Sequence, residues 1–429
     1  MDTAVKRLSL LKSHLASQKT AEPVTDSINS NGYTGFHDFL SDDEKELCKK
    51  IRKELEGKDV KAVSPGDMDT KEGIQSLNYY VENTEFPFEI LEKLRSLKVG
   101  GATIKGNRSE ELSPLMTGAV LMELYRLDPS LGTFYFVHNL VSLATIDLLG
   151  SEDQKKKYIP DGCRFLKAYS FGLTEPLNGS DATNLQTTAE KVAGGYILNG
   201  EKRWIGNATH SHAIIIWAKV KDTGEIKGFI VENGTIGMYC KKIEGKYAMR
   251  AVQNANITLN KVFVTDSQVL PEGNDWVTGP GRCLKHSRVY AAWGACGIAA
   301  GAYDFTIKYI SQRKQFGKTI SSFQINQEKL ARMMGNLQAM IHMAKRVTLL
   351  YEAGKATFGQ VSLTKAWCSQ KARECVALGR EMLGGNGILI DNQLMKLFMD
   401  AEAMHTYEGS YDINMLIAGR ELTGVAAIR

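Results

Sequence analysis

The stretch "GGYILNGEKRWIG", residues 194–206, is where the hydrophobic rhythm of this chain changes. Upstream, "SPLMTGAVLMELYRL" (113–127) and "FYFVHNLVSLATIDLLG" (134–150) space their apolar residues three and four apart, the repeat of a helix with a buried face. Within 194–206 apolar and polar residues alternate as in a strand, and Asn199-Gly200 between the two halves reads as a hairpin turn. "HAIIIWAKV" (212–220), "KGFIVEN" (227–233) and "ANITLNKVFV" (255–264) read as further strands. No helical pattern recurs between them, so a doubly wound parallel sheet is not expected. From about residue 279 the helical repeat returns over 284–312, 321–353, 360–382, 391–405 and 412–422. Glycines close these segments, and Ser410 or Asp412 can cap the last. The expected fold is therefore α+β. It comprises an N-terminal extension (1–36), a helical domain (37–165), a small β domain (166–278) and a C-terminal antiparallel four-helix bundle (279–429).

Composition narrows the function. The 53 bases and 48 acids leave a net charge of +5 without a dense basic block, which gives no support to nucleic-acid binding. Seven scattered cysteines, none in a CxxC pair, favour a reducing compartment with neither a disulfide framework nor a cysteine zinc site. His210 and His212 form an H-x-H pair with no third ligand nearby, so no metal is expected. The longest apolar run, "VYAAWGACGIAAGAY" (289–303), is too short to span a bilayer, and its Ala and Gly content suggests a tightly packed buried helix. There is no GxGxxG after a strand, no P-loop and no GxSxG elbow. The start, "MDTAVKRLSLLKSHLASQ", has no secretory h-region. Its Arg7-Leu8-x5-His14-Leu15 nonapeptide resembles the amino-terminal peroxisomal targeting signal, with a mitochondrial presequence as the alternative.

Four segments read as turns when taken singly: "FGLTEPLNGSDATN" (171–184), "RWIGNATH" (203–210), "RKQFGKTISSFQINQ" (313–327) and "GREMLGGNGILIDN", followed by "TYEGSYDI". Glycines would break helices, Asp181 would cap and Trp204 would fill a core. Together, in this order and on this helix–strand–helix texture, they resemble the acyl-CoA dehydrogenase and oxidase superfamily of flavoproteins over residues 37–429. The motifs are most similar to the plant-type peroxisomal short-chain acyl-CoA oxidase, and glutaryl-CoA dehydrogenase is the nearest mitochondrial relative.

The resemblance implies FAD as cofactor, an acyl-CoA substrate and a homotetramer or homodimer with no membrane span. The "YEG" glutamate, Glu408, would be the general base, and Gly409 would let the backbone approach the thioester. Glu402, its local competitor, matches no family base. Phe171, Leu173 and Thr174 would lie along the flavin ring, Ser180 near its pyrophosphate, and Trp204 and Ile205 against the ring. Arg313, Phe316 and Gln324 would reach the cofactor of a neighbouring subunit, Gly384, Gly385, Asn386 and Gly387 would hold its adenosine-diphosphate portion, and Ser410 would stand beside the ring. Ser180, Arg288 and Gly409 would meet the substrate. A second base position used by some relatives is Ser287 here.

Two departures bear on activity. Gly206 replaces the threonine that dehydrogenases carry in "WITN", leaving room for dioxygen near the ring. Gly132 stands where glutaryl-CoA dehydrogenase places a carboxylate-binding arginine. A second substrate carboxylate would then be buried unpaired, at a cost of several kcal/mol. The expected activity is oxidation of a short-chain acyl-CoA to the trans-2-enoyl-CoA with hydrogen peroxide as co-product. The alternative is a mitochondrial-matrix dehydrogenase passing electrons to electron-transfer flavoprotein. A non-catalytic subunit would have lost the base or the flavin loops, and Glu408, "GGNG" and Arg313 are all present.

Overall fold

The computed structural model describes residues 30–56, 74–104, 106 and 112–426. The Arg7–Leu15 nonapeptide lies outside them. The first half is helical: α1 (Asp42–Glu56), α2 (Ile74–Asn83), α3 (Ile90–Ser96), α4 (Pro114–Leu127), α5 (Pro129–Tyr135), α6 (Ala144–Leu149) and α7 (Glu152–Cys163). α4 starts where Ser113 Oγ accepts the Met116 N–H and proline occupies the first turn, and it is buried on all sides from Met116 to Leu127. Asp128 caps α5 by accepting from the Leu131 N–H. Between α5 and α6 the chain winds as a π-helix over Phe136–Leu143, a geometry that often marks functional positions. A short helix, Ser30–Thr34, ends the expected extension and is seated on the body of the protein, where the Ser30 N–H and Oγ donate to the Asp304 carboxylate at 2.8 and 2.9 Å.

The β domain holds β1 (Tyr169–Gly172), β2 (Thr188–Val192), β3 (Gly195–Ile205), β4 (Ala213–Val220), β5 (Ile226–Glu232), β6 (Met238–Lys242) and β7 (Ala255–Thr265). They form one seven-stranded sheet in the order β1-β4-β2-β3-β7-β6, with β5 paired to β4. β4 pairs in parallel with β1 and β2, and the other pairings are antiparallel. Asn199-Gly200 is not a hairpin turn, contrary to the sequence reading. β3 runs through it with a register shift between Leu198 and Gly200, and the tight turn falls at Ala193-Gly194, where Gly194 takes φ +77°. Gly200 is needed for a close approach: a Cβ there would sit 2.6 Å from Thr187 Oγ1.

The last third contains α8 (Pro280–Gln312), the short strands β8 (Lys314–Gln315) and β9 (Lys318–Thr319), then α9 (Gln324–Glu352), α10 (Phe358–Met382), α11 (Leu394–Thr406) and α12 (Tyr411–Thr423). α8 packs on α9 and α10, and α10 also carries α11 and α12. The run 289–303 is buried throughout within α8. Its small residues are a packing requirement, since a Cβ on Gly297 or Gly301 would come within 2.4 Å of the Met122 or Arg126 carbonyl of α4. No helix among the described residues is long and apolar enough to cross a membrane.

Candidate active site

Glu408 follows the end of α11, in the left-handed region at φ +57°, and Gly409 continues at φ +77°. A non-glycine residue there is strained by roughly 1–3 kcal/mol and persists only where its surroundings hold it. Ser287 Oγ, from α8, donates to Glu408 Oε2 at 2.7 Å. The next residue, Arg288, is buried, with Nη1 3.3 Å from Ser362 Oγ and its guanidinium over the Phe358 ring at 4.9 Å. A Cβ on Gly409 would lie 3.0 Å from both Arg288 Nη2 and Asn414 Nδ2, so the close approach is made to a bare backbone. Burial pushes the Glu408 carboxyl above its ordinary range, against the pull of Arg288, the Ser287 hydrogen bond and Lys365. Among the described residues, none accepts the Glu408 backbone N–H. Glu402, by contrast, faces out and pairs with Arg373 Nε at 2.7 Å.

The residue before Glu408 ties this site to the helical domain. Tyr407 OH lies 2.9 Å from Tyr125 OH, which lies 3.0 Å from Thr133 Oγ1. Gly132 sits under that ring, where a Cβ would be 2.2 Å from Tyr125 Cδ2.

A second cluster joins the first two motif segments. The Arg203 N–H donates to the Thr174 carbonyl at 2.8 Å, and Ser170 Oγ donates to the Gly206 carbonyl at 2.7 Å. Beneath them Glu175 and Lys202 form a buried ion pair at 2.8 Å. Burial pushes Lys202 down to about 8 despite that partner. Phe171 is half-buried, Leu173, Ile205 and Gly206 are buried, and Ser180 is exposed. Trp204 does not fill a core: it is 51% exposed, takes φ +65°, and its carbonyl accepts from Asn254 Nδ2 at 3.1 Å. A Cβ on Gly206 would meet Val137 of the π-helix at 3.4 Å, ordinary contact, so a side chain there has room at its base.

The remaining candidates lie on the C-terminal helices. Arg313, Phe316 and Gln324 are exposed around the β8–β9 turn, Phe316 at 92%, and none of the three makes a side-chain hydrogen bond or ion pair with another candidate in this chain. Gly384 takes φ +57°, and a Cβ on Gly384 or Gly385 would touch nothing, leaving that backbone open. Asn386 Nδ2 donates to Tyr309 OH at 2.7 Å, and Gly387 is buried. Ser410 caps α12, its Oγ accepting the Ile413 N–H at 3.3 Å. His210, of the H-x-H pair, packs among Phe86, Phe88 and Phe134, while His212 Nδ1 accepts the Ala168 N–H.

Sequence reasoning missed two side chains at Glu408: Lys365, whose Nζ donates to the Tyr407 and Gly409 carbonyls, and Asn414, whose Nδ2 donates to the Glu408, Gly409 and Ser410 carbonyls. A lysine and an asparagine on amphipathic helices carry no local signal that sets them apart from surface residues.

Residues 280–423, 170–262 and 70–165 match the C-terminal, middle and N-terminal domains of acyl-CoA dehydrogenase, respectively. The chain is 30% identical over 365 residues to an acyl-CoA dehydrogenase of Bacillus subtilis, covering 83% of this chain and 96% of that protein. It is also 30% identical over 347 residues to a 3-(aryl)acrylate reductase of Clostridium sporogenes, covering 80% and 92%. Glutaryl-CoA dehydrogenase from Mycobacterium smegmatis superposes with a TM-score of 0.85 at 29% identity, covering 94% of this chain and all of that one, and a structure of a glutaryl-CoA dehydrogenase from the same organism in complex with FADH2 superposes with a TM-score of 0.85 at 28% identity. Three domains in this order, with a half-buried carboxylate at the α11–α12 break, define an oxidoreductase acting on the CH–CH group of acyl-CoA thioesters. The chain belongs to the acyl-CoA dehydrogenase family.

Members of that family bind FAD, and the residues here fit such a group. An indole face stands exposed at the end of β3, open glycine backbone precedes α11, and the buried Asn178 and Asn207 Oδ1 atoms, in the "LNGSD" and "WIGN" segments, have no donor among the described residues.

Proposed function

We propose that this chain is a FAD-dependent short-chain acyl-CoA oxidase that converts a saturated acyl-CoA to the trans-2-enoyl-CoA, the first step of fatty-acid β-oxidation. The observation that carries the reading is Glu408, a half-buried carboxylate whose own backbone N–H no described residue accepts. The thioester carbonyl accepts from that N–H, which acidifies the α-carbon, and Glu408 removes the α-proton. Burial makes the carboxylate a stronger base, while Ser287 fixes one of its oxygens. Bound FAD would supply the acceptor for the hydride that leaves the β-carbon, and dioxygen would be the final acceptor of the electron pair, giving hydrogen peroxide. Phe171, Leu173, Thr174, Ser180, Trp204, Ile205, Gly206 and Ser410 would hold it with the 384–387 loop. Arg313, Phe316 and Gln324 would reach the cofactor of a neighbouring copy, and the exposure of Phe316 favours such a homotetramer or homodimer.

Substrate choice follows from packing. The Tyr125 ring fills the space a side chain at position 132 would need, which supports a monocarboxylic short acyl chain rather than glutaryl-CoA. The oxidase half rests on the motifs and on Gly206, and a peroxisomal address on the Arg7–Leu15 nonapeptide. One observation favours the second reading, a dehydrogenase discharged by electron-transfer flavoprotein: relatives such as the Bacillus subtilis protein are named dehydrogenases. The test reduces the purified flavoprotein anaerobically with butanoyl-CoA and then mixes it with oxygenated buffer. Fast return of the flavin band with stoichiometric peroxide is expected. A band that stays bleached in oxygen, yet returns on adding electron-transfer flavoprotein, would establish the dehydrogenase instead.

A further inference from the structure

We propose that Lys365 is a positioning residue for the base: its buried ammonium grips the carbonyls on either side of Glu408 and so sets where both the Glu408 N–H and its carboxylate point. The inference rests on the reading of Glu408 as the base. Lys365 belongs to α10 and has no exposed surface. Its Nζ donates to the Tyr407 carbonyl at 2.6 Å and the Gly409 carbonyl at 2.8 Å, with the His405 carbonyl at 3.5 Å.

The setting is unusual for a buried cation. Lys202, also buried, and Lys396, whose side chain is 10% exposed, each have a carboxylate within 3.0 Å. Among the described residues no carboxylate lies within ion-pair distance of Lys365, so backbone carbonyls at the C-terminal end of α11 serve as its partners. Carbonyls there lack helical partners and carry the negative end of the helix dipole, which suits an ammonium with three donors. Burial pushes this lysine down to about 7, with Glu408 opposing and Arg288 reinforcing the shift.

The geometric consequence comes from the planarity of the peptide bond. In a trans peptide the carbonyl of residue i and the N–H of residue i+1 point in opposite directions. Drawing the Tyr407 carbonyl onto Lys365 therefore turns the Glu408 N–H the other way, where no described residue accepts it. Gripping the Gly409 carbonyl as well fixes the peptide plane on the far side. Two consecutive left-handed residues are thus held from both ends, and Asn414 donates to the three carbonyls of residues 408–410 from α12. A lysine that merely closed a helix would stabilise the bundle without affecting the reaction.

The test compares wild type, Lys365→Met and Glu408→Gln as FAD-loaded proteins, with anaerobic flavin reduction by butanoyl-CoA and amide hydrogen exchange over residues 404–413 as readouts. In Lys365→Met the reduction rate constant is expected to fall roughly 100-fold, the cost of about an ångström of misplacement, while the butanoyl-CoA concentration giving half-maximal rate moves by less than about tenfold. Exchange at residues 407–410 should quicken by about tenfold or more. Wild-type reduction and exchange in Lys365→Met would overturn the proposal, and so would a variant that differs only in its unfolding temperature. Full activity in Glu408→Gln would overturn the base assignment itself, whereas an inactive Glu408→Gln beside a fully active Lys365→Met would overturn only the role of the lysine. Should Lys365→Met not fold, Lys365→Gln, which keeps a donor without charge, and Asn414→Ala are read by the same two measurements.

Discussion

At the scale of single residues, the proposed chemistry depends on Glu408 being charged when substrate arrives. Glu408→Gln keeps the size and removes the base, so the rate of flavin reduction by butanoyl-CoA should fall by roughly 10³-fold with substrate binding retained, as a binding titration would check. Because burial outweighs Arg288, Ser287 and Lys365, the carboxyl titrates above its ordinary value of 4.5. The acid limb of the reduction rate should therefore have its midpoint above pH 4.5, and Ser287→Ala, which removes a hydrogen bond to the charged form, should move it higher. A limb that does not respond to Ser287→Ala would show that another group controls it. The place of Glu408, at the break between α11 and α12, was legible in the sequence, because "YEG" interrupts two segments of helical periodicity. Lys365 and Asn414 were not: a cation that reaches across helices to main-chain carbonyls leaves no local pattern. Trp204 was misread as a core residue only when taken singly, since a large aromatic residue in a strand is usually buried.

At the scale of elements, periodicity located the helices and strands, but turn chemistry misled in one place. Asn-Gly is the commonest hairpin signal, yet here it is a bulge within β3, because Gly200 is required for contact with Thr187 and Ala193-Gly194 already supplies the reversal. Competition between two glycine sites six residues apart cannot be resolved by local preference. Glycine in helices shows the same tension at α5. Ala at position 132 would gain about 1 kcal/mol of helix propensity, but its Cβ would stand 2.2 Å from a Tyr125 ring held by Thr133 and Tyr407. Overpacking costs roughly 1–3 kcal/mol, so it wins. Gly132→Ala should lower the midpoint of chemical unfolding and, by displacing Tyr407, slow flavin reduction as well. An unchanged midpoint would mean the ring can swing away.

At the scale of the molecule, buried polar contacts tie the regions together where apolar packing alone would let them slide. Lys396 of α11 bonds Asp128, which caps α5, and Asp400, whose other oxygen takes the Met249 N–H from the β6–β7 connection. Arg52 of α1 and Arg126 of α4 both bond Glu123 Oε2, and Arg126 also faces Asp304 of α8 at 3.5 Å. Burial alone would raise the Glu123 carboxyl, but the two arginines outweigh it and hold it at about 2. A folded-state value below the ordinary 4.5 means that the stabilisation is fully present above about pH 4.5 and is lost as pH falls toward 2. Asp304, raised by burial, works in the opposite direction, so the wild-type curve alone would mix the two. The difference between wild type and Glu123→Gln isolates the pair. It should be large at pH 6, where the variant leaves two guanidinium groups without their shared carboxylate, and should shrink by of order 3 kcal/mol between pH 5 and pH 2 in denaturant unfolding. A difference that stays constant with pH would mean that Glu123 contributes through its size and hydrogen bonds, and that its charge does not join α1 to α4.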